Sequence, residues 1–196
     1  MNAYQTINLW IENDRSIIFK PLSESGESSV VVGDNLTVNL LADPNAKILG
    51  EDDGAEDPVY LYASLVSIAD LSETVERAVI EDVAIRNRPG ELPTGFSLFY
   101  NPEDDEIYLG GQFLISAQTS AWFERLSRSF CSYSILAKKR LEDYISELAT
   151  ENEGLTEDGF GFPMERESNN PNVFQRPRGN EMDPRDAFPV ENILRV

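Results

Sequence analysis

The stretch that decides the fold is FYNPEDDEIYLGGQFLI, residues 99–115. Two runs rich in aromatic and β-branched residues flank the segment PEDDE, and Asn, Pro and Asp are residues that build tight turns. The pattern predicts a β-hairpin of residues 96–100 and 107–115, with the four carboxylates of residues 103–106 at its exposed tip. Gly110 and Gly111 lack the context of a phosphate-binding loop, so they indicate a bulge or the close approach of another backbone.

Two amphipathic helices flank this hairpin in the sequence. Residues 71–87 form the shorter one, which Asp70 or Ser72 can cap and which the segment RPG ends. Residues after the hairpin carry the strongest periodic pattern, with apolar side chains three or four positions apart. Its members are Trp122, Leu126, Phe130, Tyr133, Ala137, Leu141, Tyr144 and Leu148. The spacing predicts one long helix, with Ser120 as its N-cap.

The N-terminal part of the chain predicts a short helix followed by strands. Tyr4, Ile7 and Ile11 have helical spacing, RSIIFKPL (residues 15–22) is a candidate strand, and VYLYASLVSI (residues 59–68) is a continuous apolar strand. SVVVGDNLTVNLLA (residues 29–42) predicts a hairpin that turns at Gly33 and Asp34. The predicted class is therefore α+β, a twisted antiparallel sheet flanked by helices.

Composition suggests one domain of residues 1–149 and a tail of residues 150–196 that is rich in Pro, Gly and charge. The tail also carries several large apolar residues, which we expect to dock on a protein surface. They are Phe160, Phe162, Val173, Phe174, Phe188, Ile193 and Leu194.

Charge and residue usage narrow the function classes. The chain has 35 acidic and 16 basic residues, a formal net charge of −19, which disfavours binding to nucleic acid and to anionic membranes. Its lack of histidine removes the commonest general base and the Ser/His and Cys/His nucleophilic pairs. The single cysteine, Cys131, excludes an internal disulfide and is expected to be an inert core residue. Without a signal-peptide or membrane-span pattern, the expected location is the cytoplasm.

Because the chain has no histidine, an enzyme of this sequence would depend on the carboxylates of Asp and Glu. The segment EDDGAED, residues 51–57, lacks the alternating ligand spacing and the distal Glu of an EF-hand, so it is interpreted as a solvated loop. Two rival functions stay open: a metal hydrolase that uses Asp52, Asp53, Asp104 and Asp105, and an acidic mimic of nucleic acid. We expect no enzyme activity, no metal and no cofactor.

The order of helix, strands, helix, hairpin and long helix resembles a known family. Residues 36–148, from LTVNLL through VYLYASLVSIADLSETVERAVIEDVAIRN and FSLFYNPEDDEIYLGGQFL to the long helix, resemble the class I type III secretion chaperones, the Tir-chaperone family. The resemblance implies a non-catalytic homodimer that binds an extended segment of an effector protein, its client, and keeps it soluble and competent for secretion. A regulator of the same fold that sequesters a partner protein is the alternative.

The resemblance also implies two sets of contact residues. The dimer interface would use the middle helix, at Leu71, Val75, Val79 and Ile85. Effector binding would use the N-terminal helix and the sheet, at Ile7, Ile11, Leu36, Val38, Leu40 and Phe113.

Overall fold

A computed structural model of the chain describes residues 1–45 and 58–157, and the side chains of residues 1–45 and 58–150. Within these residues, three helices and five strands follow one another in the predicted order, apart from the candidate strand of residues 15–22. Their bounds are α1 Ala3–Asn13, β1 Glu27–Val32, β2 Leu36–Leu41, β3 Val59–Ser67, α2 Glu73–Arg86, β4 Phe96–Asn101, β5 Glu106–Phe113 and α3 Ser120–Glu157. The acidic loop of residues 51–57, with Asp52 and Asp53, and the apolar residues of the tail lie outside the described residues.

The five strands form one antiparallel sheet in the order β1-β2-β3-β5-β4. Both predicted hairpins are confirmed. β1 and β2 pair from Val32 opposite Leu36, and β4 and β5 pair from Asn101 opposite Glu106. In the first turn Gly33 and Asn35 have φ angles of 52° and 65°, which small or Asx residues adopt most easily. The α+β prediction of an antiparallel sheet with helices is correct.

One face of the sheet, the inner face, carries the core. Along β2, β3 and the first half of β5 the buried residues alternate with half-buried or exposed ones, as a strand covered on one side requires. Helix α3 packs across β3 and β2, α2 packs against β4 and α3, and α1 packs against α3. Phe130 of α3 is fully buried with its ring 5.0 Å from that of Phe96 on β4. The helices and the inner face therefore share one core.

The helix starts follow local capping rules. Asn2 and Gln5 form a capping box at α1, and the Ser72 hydroxyl accepts the N–H of Val75 at α2. At α3 the predicted cap was one residue late. The Thr119 hydroxyl accepts the Trp122 N–H at 3.2 Å, and Ser120 is the first helical residue.

Two further predictions differ from the structure. Residues 15–22 form no strand. Ile17, Phe19 and Leu22 are buried, so the apolar pattern of this segment serves core packing without a partner strand. Helix α3 runs to Glu157, past Leu148, the last residue of its predicted pattern, and no proline occurs before Pro163 to end it earlier. The domain boundary after Ala149 stays a prediction.

The close approach predicted for the glycine pair on β5 is confirmed at Gly111. A Cβ atom there would lie 2.5 Å from the Phe113 ring and 2.9 Å from the carbonyl oxygen of Gly95. The ladder irregularity is on the neighbouring strand β3, between Ser64 and Val66. Gly111 thus makes room for an aromatic side chain at the end of β5.

Candidate partner-binding surface

The two edges of the sheet, β1 and β4, differ in how their main-chain groups are used. The N–H of Ala42 donates to the Gly26 carbonyl at 2.9 Å, which makes this a hydrogen-bonded pair of the β1-β2 ladder. Because hydrogen-bonded pairs alternate along an antiparallel ladder, Ser28, Val30 and Val32 bond to β2. The main-chain groups of residues 27, 29 and 31 therefore point away from the sheet.

Within residues 1–45 and 58–157, only the first of these three edge positions has main-chain hydrogen-bond partners. The Glu27 carbonyl accepts the Ser23 N–H at 2.8 Å, and the Glu27 N–H donates to the Ser23 hydroxyl at 3.2 Å. No strand among the described residues pairs with Ser29 and Val31 on that side. The Val31 side chain is 63% exposed. β1 is thus an open edge of the kind to which another extended chain can add.

The opposite edge, β4, is closed by its own chain. The Asn87 side chain, at the end of α2, donates to the Leu98 carbonyl at 2.5 Å and accepts the Leu98 N–H at 2.8 Å. The Phe96 N–H donates to the Pro93 carbonyl at 3.0 Å. A segment that adds to the sheet by main-chain hydrogen bonds would have to displace Asn87 at β4, whereas at β1 nothing described has to move.

The residues predicted to contact an effector lie mostly in the core. Ile7 and Ile11 are on the buried side of α1, and Leu36, Val38 and Leu40 are on the inner face of β2, all at most 8% exposed. Phe113 is half-buried, and its ring makes edge contacts with Phe96 and Trp122. In this conformation Phe113 is the member of the set that a partner can reach. The contact role of the set stays a prediction.

The residues predicted for the dimer interface divide in the same way. Val75 and Val79 are 4% and 0% exposed and pack into the core of their own chain. Leu71 is half-buried, whereas Ile85 is 48% exposed. A second copy could therefore contact Ile85 of α2 and Leu71, which precedes this helix. The interface itself stays a prediction.

The acidic tip of the β4-β5 hairpin is tied into the sheet by tyrosines. The Tyr100 hydroxyl donates to Asp105 Oδ1 at 2.6 Å, and the Tyr108 hydroxyl donates to Asp104 Oδ2 at 2.7 Å. Asp105 has a φ of 54°, a turn conformation that Asp tolerates. The carboxylates thus act as hydrogen-bond acceptors within a turn, the structural role predicted for them from the sequence.

Burial and the neighbouring carboxylates shift the pKa of the Tyr108 hydroxyl. Burial first, and then hydrogen bonds with Asp104 and Glu106, raise the pKa of the Tyr108 hydroxyl well above its usual range. The Glu106 carboxylate also accepts a hydrogen bond from the Ser64 hydroxyl on β3. Within residues 1–45 and 58–157, no group of three or more Cys, Asp or Glu residues is arranged to hold a metal ion.

The outer face of the sheet, opposite the core, carries aromatic side chains at half-buried positions. Phe99 and Tyr108 stack with their ring centroids 5.4 Å apart, and Tyr60 and Tyr62 lie on the same face of β3. Burial, and then the charge of Glu27, raises the pKa of Tyr62. These rings form an amphipathic surface over β3, β5 and β4, which β2 separates from the β1 edge.

Cys131 lies in the core, on the buried side of α3. Burial raises the pKa of its thiol to about 11, which leaves little of the reactive thiolate at neutral pH. None of the described helices has the length and hydropathy that a membrane span requires.

In comparisons with known proteins, this chain is similar to chains of solved structures. No protein-family model and no curated protein matches the chain. A chain of the crystal structure of the ExsC-ExsE complex is similar at 18% identity and a TM-score of 0.48, covering 72% of this chain and 97% of that one. A chain of the HopA1-SchA chaperone-effector complex is similar at 11% identity and a TM-score of 0.42, covering 68% of this chain and 96% of that one.

Proposed function

We propose that the protein is a non-catalytic type III secretion chaperone of the cytoplasm, which binds an extended segment of an effector and keeps it soluble. The observation that carries the proposal is the open edge of β1, where the main-chain groups of Ser29 and Val31 face away from the sheet. An extended client can pair with these groups as an added strand, so that affinity comes from main-chain hydrogen bonds and specificity from side chains.

The arrangement of elements supports the same proposal. The helix, strand and hairpin order implied by the sequence resemblance is the order found along the chain. The aromatic rings on the outer face of β3, β5 and β4 offer an apolar surface to a client. An excess of acidic side chains would keep a loaded complex soluble.

We also propose that the protein acts as a homodimer through the exposed side of α2. Ile85 is a large apolar residue 48% exposed on a helix whose other side is buried. Leu71, which lies just before the N-cap of the same helix, is half-buried. Two copies that pack these side chains together would remove apolar surface from water.

Client capture with edge variants tests the proposed binding mode. Val31→Pro removes the edge-facing N–H without touching the β1-β2 ladder, and proline is tolerated on edge strands. Val31→Ala shortens the same side chain but keeps the N–H, so it is the matched control. Tagged full-length chains would be expressed in the native cells, and captured proteins identified by mass spectrometry with their protease-protected segments.

The proposal expects a captured protein whose protected segment is extended and which Val31→Pro loses while Val31→Ala retains. Equal capture by both variants would contradict strand addition at β1. Capture of no protein by the unaltered chain would contradict the chaperone function itself.

A further inference from the structure

The strands of the sheet are almost free of charged side chains. Their sequences are ESSVVV, LTVNLL, VYLYASLVS, FSLFYN and EIYLGGQF. None of them contains a lysine or an arginine, and their charged residues are Glu27 and Glu106 alone. The solvent-facing side of an antiparallel sheet is ordinarily polar. Loss of charge from such a face therefore indicates a surface used for contact with another molecule.

Four aromatic rings lie on the outer face of the sheet, which no described helix covers. Together they form the aromatic face: Tyr60, Tyr62, Phe99 and Tyr108. Each is half-buried, although the inner residues beside the three tyrosines are buried. Such rings are enriched where proteins bind one another, because they offer a large apolar area together with a polar edge.

The Tyr108 ring has a neighbouring ring on one side and a small residue on the other. Phe99 of β4 stacks on it with ring centroids 5.4 Å apart and an interplanar angle of 11°. On β3 the residue opposite Tyr108 is Ser64, and both line a cleft of about 380 Å³. The second side of the Tyr108 ring therefore borders this cleft, where a planar group of a partner can stack.

The Glu106 carboxylate lies beside the same ring. It accepts a hydrogen bond from the Ser64 hydroxyl, and it contributes, after burial and together with Asp104, to the raised pKa of Tyr108. A carboxylate has about four acceptor sites on its two oxygens, so Glu106 can accept further donors. Glu27 adds a negative charge near Tyr62, whose pKa is raised by burial and then by that charge.

Lys138 of α3 does not offset these carboxylates. It lines the same cleft as Tyr62, Ser64 and Tyr108. Its ammonium is ion-paired, with Nζ 3.8 Å from Glu142 Oε1. Because this pair carries no net charge, the sign of the potential over the aromatic face is set by carboxylates.

We propose that the aromatic face binds an arginine-containing segment of the client. A guanidinium group stacks on the Tyr108 ring and donates hydrogen bonds to the Glu106 carboxylate. The inference rests on the proposed function for the identity of the client. It adds a contact on the outer face that is separate from the open edge of β1.

Charge complementarity selects this occupant. The chain has a formal charge of −19, so a second copy or an acidic segment is repelled at long range, whereas a basic segment is attracted. Arginine fits better than lysine because its planar guanidinium stacks on an aromatic ring and pairs with a carboxylate through two parallel donors.

Peptide titration of the full-length chain at low salt tests the site. The probe is the acetylated and amidated pentapeptide Ser-Arg-Thr-Arg-Ser, and the controls carry lysine or the uncharged isostere citrulline in place of both arginines. Binding is followed through the amide NMR signals of Tyr108 and Gly110, which are neighbours on β5. We expect saturable shifts at both amides. The dissociation constant should rise at least about threefold for the lysine peptide and about tenfold for the citrulline peptide.

Two carboxylate variants locate the charge contact. Glu106→Gln keeps an acceptor for Ser64 but removes the charge, and it should weaken binding of the arginine peptide at least about fivefold. Glu147→Gln makes the same change at an exposed position of α3, the helix that packs on the other side of the sheet, and should leave binding unchanged. Amide spectra without peptide verify that both variants remain folded.

Two ring variants locate the stacking contact. Tyr108→Leu removes the ring and should abolish the preference for arginine over lysine. Tyr108→Phe keeps the ring and should keep that preference, which a merely structural role of the hydroxyl would not explain.

The inference is overturned if the arginine peptide gives no saturable shift at Tyr108 and Gly110, or if it binds no better than the citrulline peptide. Equal binding by Glu106→Gln and Glu147→Gln would overturn it as well. Concentration-dependent shifts at the same amides without peptide would assign the aromatic face to a second copy and overturn it too.

Client capture separates this failure from that of the proposed function. A client that Val31→Pro loses, but that Glu106→Gln and Tyr108→Leu retain in full, would refute this inference alone. Arginine-peptide binding without any captured client would refute the chaperone function and leave the aromatic face as a site for basic segments.

Discussion

The Asn87 side chain makes both hydrogen bonds that a neighbouring strand would make to Leu98. It donates to the carbonyl at 2.5 Å and accepts the N–H at 2.8 Å. A single amide thus closes the middle of the β4 edge and joins the end of α2 to the sheet. No residue that the structure describes covers Ser29 and Val31 in this way at the β1 edge, so the two edges differ in their access to another chain.

Asn87→Ala should reopen the β4 edge. Loss of two partly buried hydrogen bonds is expected to lower the free energy of unfolding by about 1 to 3 kcal/mol, measured by urea denaturation. The open edge should also increase concentration-dependent light scattering. Asn13→Ala removes a bond that stays within α1, to the Leu9 carbonyl, and serves as the control. Equal behaviour of the two variants would show that Asn87 does not protect the edge.

Asp104→Asn combined with Asp105→Asn should leave stability and client binding nearly unchanged. Asn keeps a carbonyl oxygen that can accept the Tyr100 and Tyr108 hydroxyls, and it tolerates the positive φ at position 105. The expected change in the free energy of unfolding is below about 0.5 kcal/mol, measured by the urea midpoint at constant slope. Loss of client binding in the double variant would mean that the carboxylates have a functional role.

Alkaline pH should destabilise the protein through Tyr108. Its folded-state pKa is raised above the ordinary value of 10.0, so the folded chain holds a proton that the unfolded chain releases. The stabilisation is complete below that ordinary value and is lost as the pH rises from it towards the folded-state pKa. Tyr108→Phe should therefore show a shallower decline in urea stability above about pH 10. If the free energy of unfolding fell equally steeply with pH in the unaltered chain and in Tyr108→Phe, the raised pKa of Tyr108 would be contradicted.

Ile85→Glu should weaken the proposed homodimer. A carboxylate at an apolar contact loses hydration without gaining a partner, so the dimer dissociation constant should rise at least tenfold in analytical ultracentrifugation. Leu136→Glu places the same charge at an exposed apolar position of α3 (42% exposed) and should leave assembly unchanged. A monomeric unaltered chain at micromolar concentration would refute the dimer.

Val79→Glu should act on the fold instead of the dimer. Val79 is fully buried within its own chain, and an unpaired charge there is expected to cost more than about 4 kcal/mol. Circular dichroism should show a loss of cooperative unfolding even at dilutions where the chain is monomeric. A Val79→Glu chain with a normal thermal transition would mean that the side chain lies at a surface.

The Cys131 thiol should react slowly in the native protein. A pKa raised from 9.0 to about 11 lowers the thiolate fraction at pH 8 roughly a hundredfold, and burial adds a steric barrier. The Cys131 thiol should therefore react with DTNB at least about a hundredfold more slowly in buffer than in denaturing urea. Equal rates in the two solvents would contradict a buried thiol.

Local patterns determined which elements form. The period of two in the strands, the period of 3.6 in α3 and the turn residues around Gly33 and Asp105 act over a few neighbouring residues, so the sequence alone predicted both hairpins, the two longer helices and the α+β class. The cap of α3 at Thr119 and the irregular course of residues 15–22 were missed. There, two adjacent hydroxyl residues and a short apolar run each fit more than one local structure.

Only the tertiary structure decided which apolar residues are available to a partner. Val79, Leu36 and Leu40 look the same in sequence as surface anchors would, since hydrophobicity drives both folding and association. Their burial depends on helices and strands far away in the chain. The open edge of β1 and the closure of β4 by Asn87 are likewise set by strand order and register. Main-chain hydrogen bonds between distant segments leave no periodic signal in the sequence, so these features emerge only when the sheet is assembled.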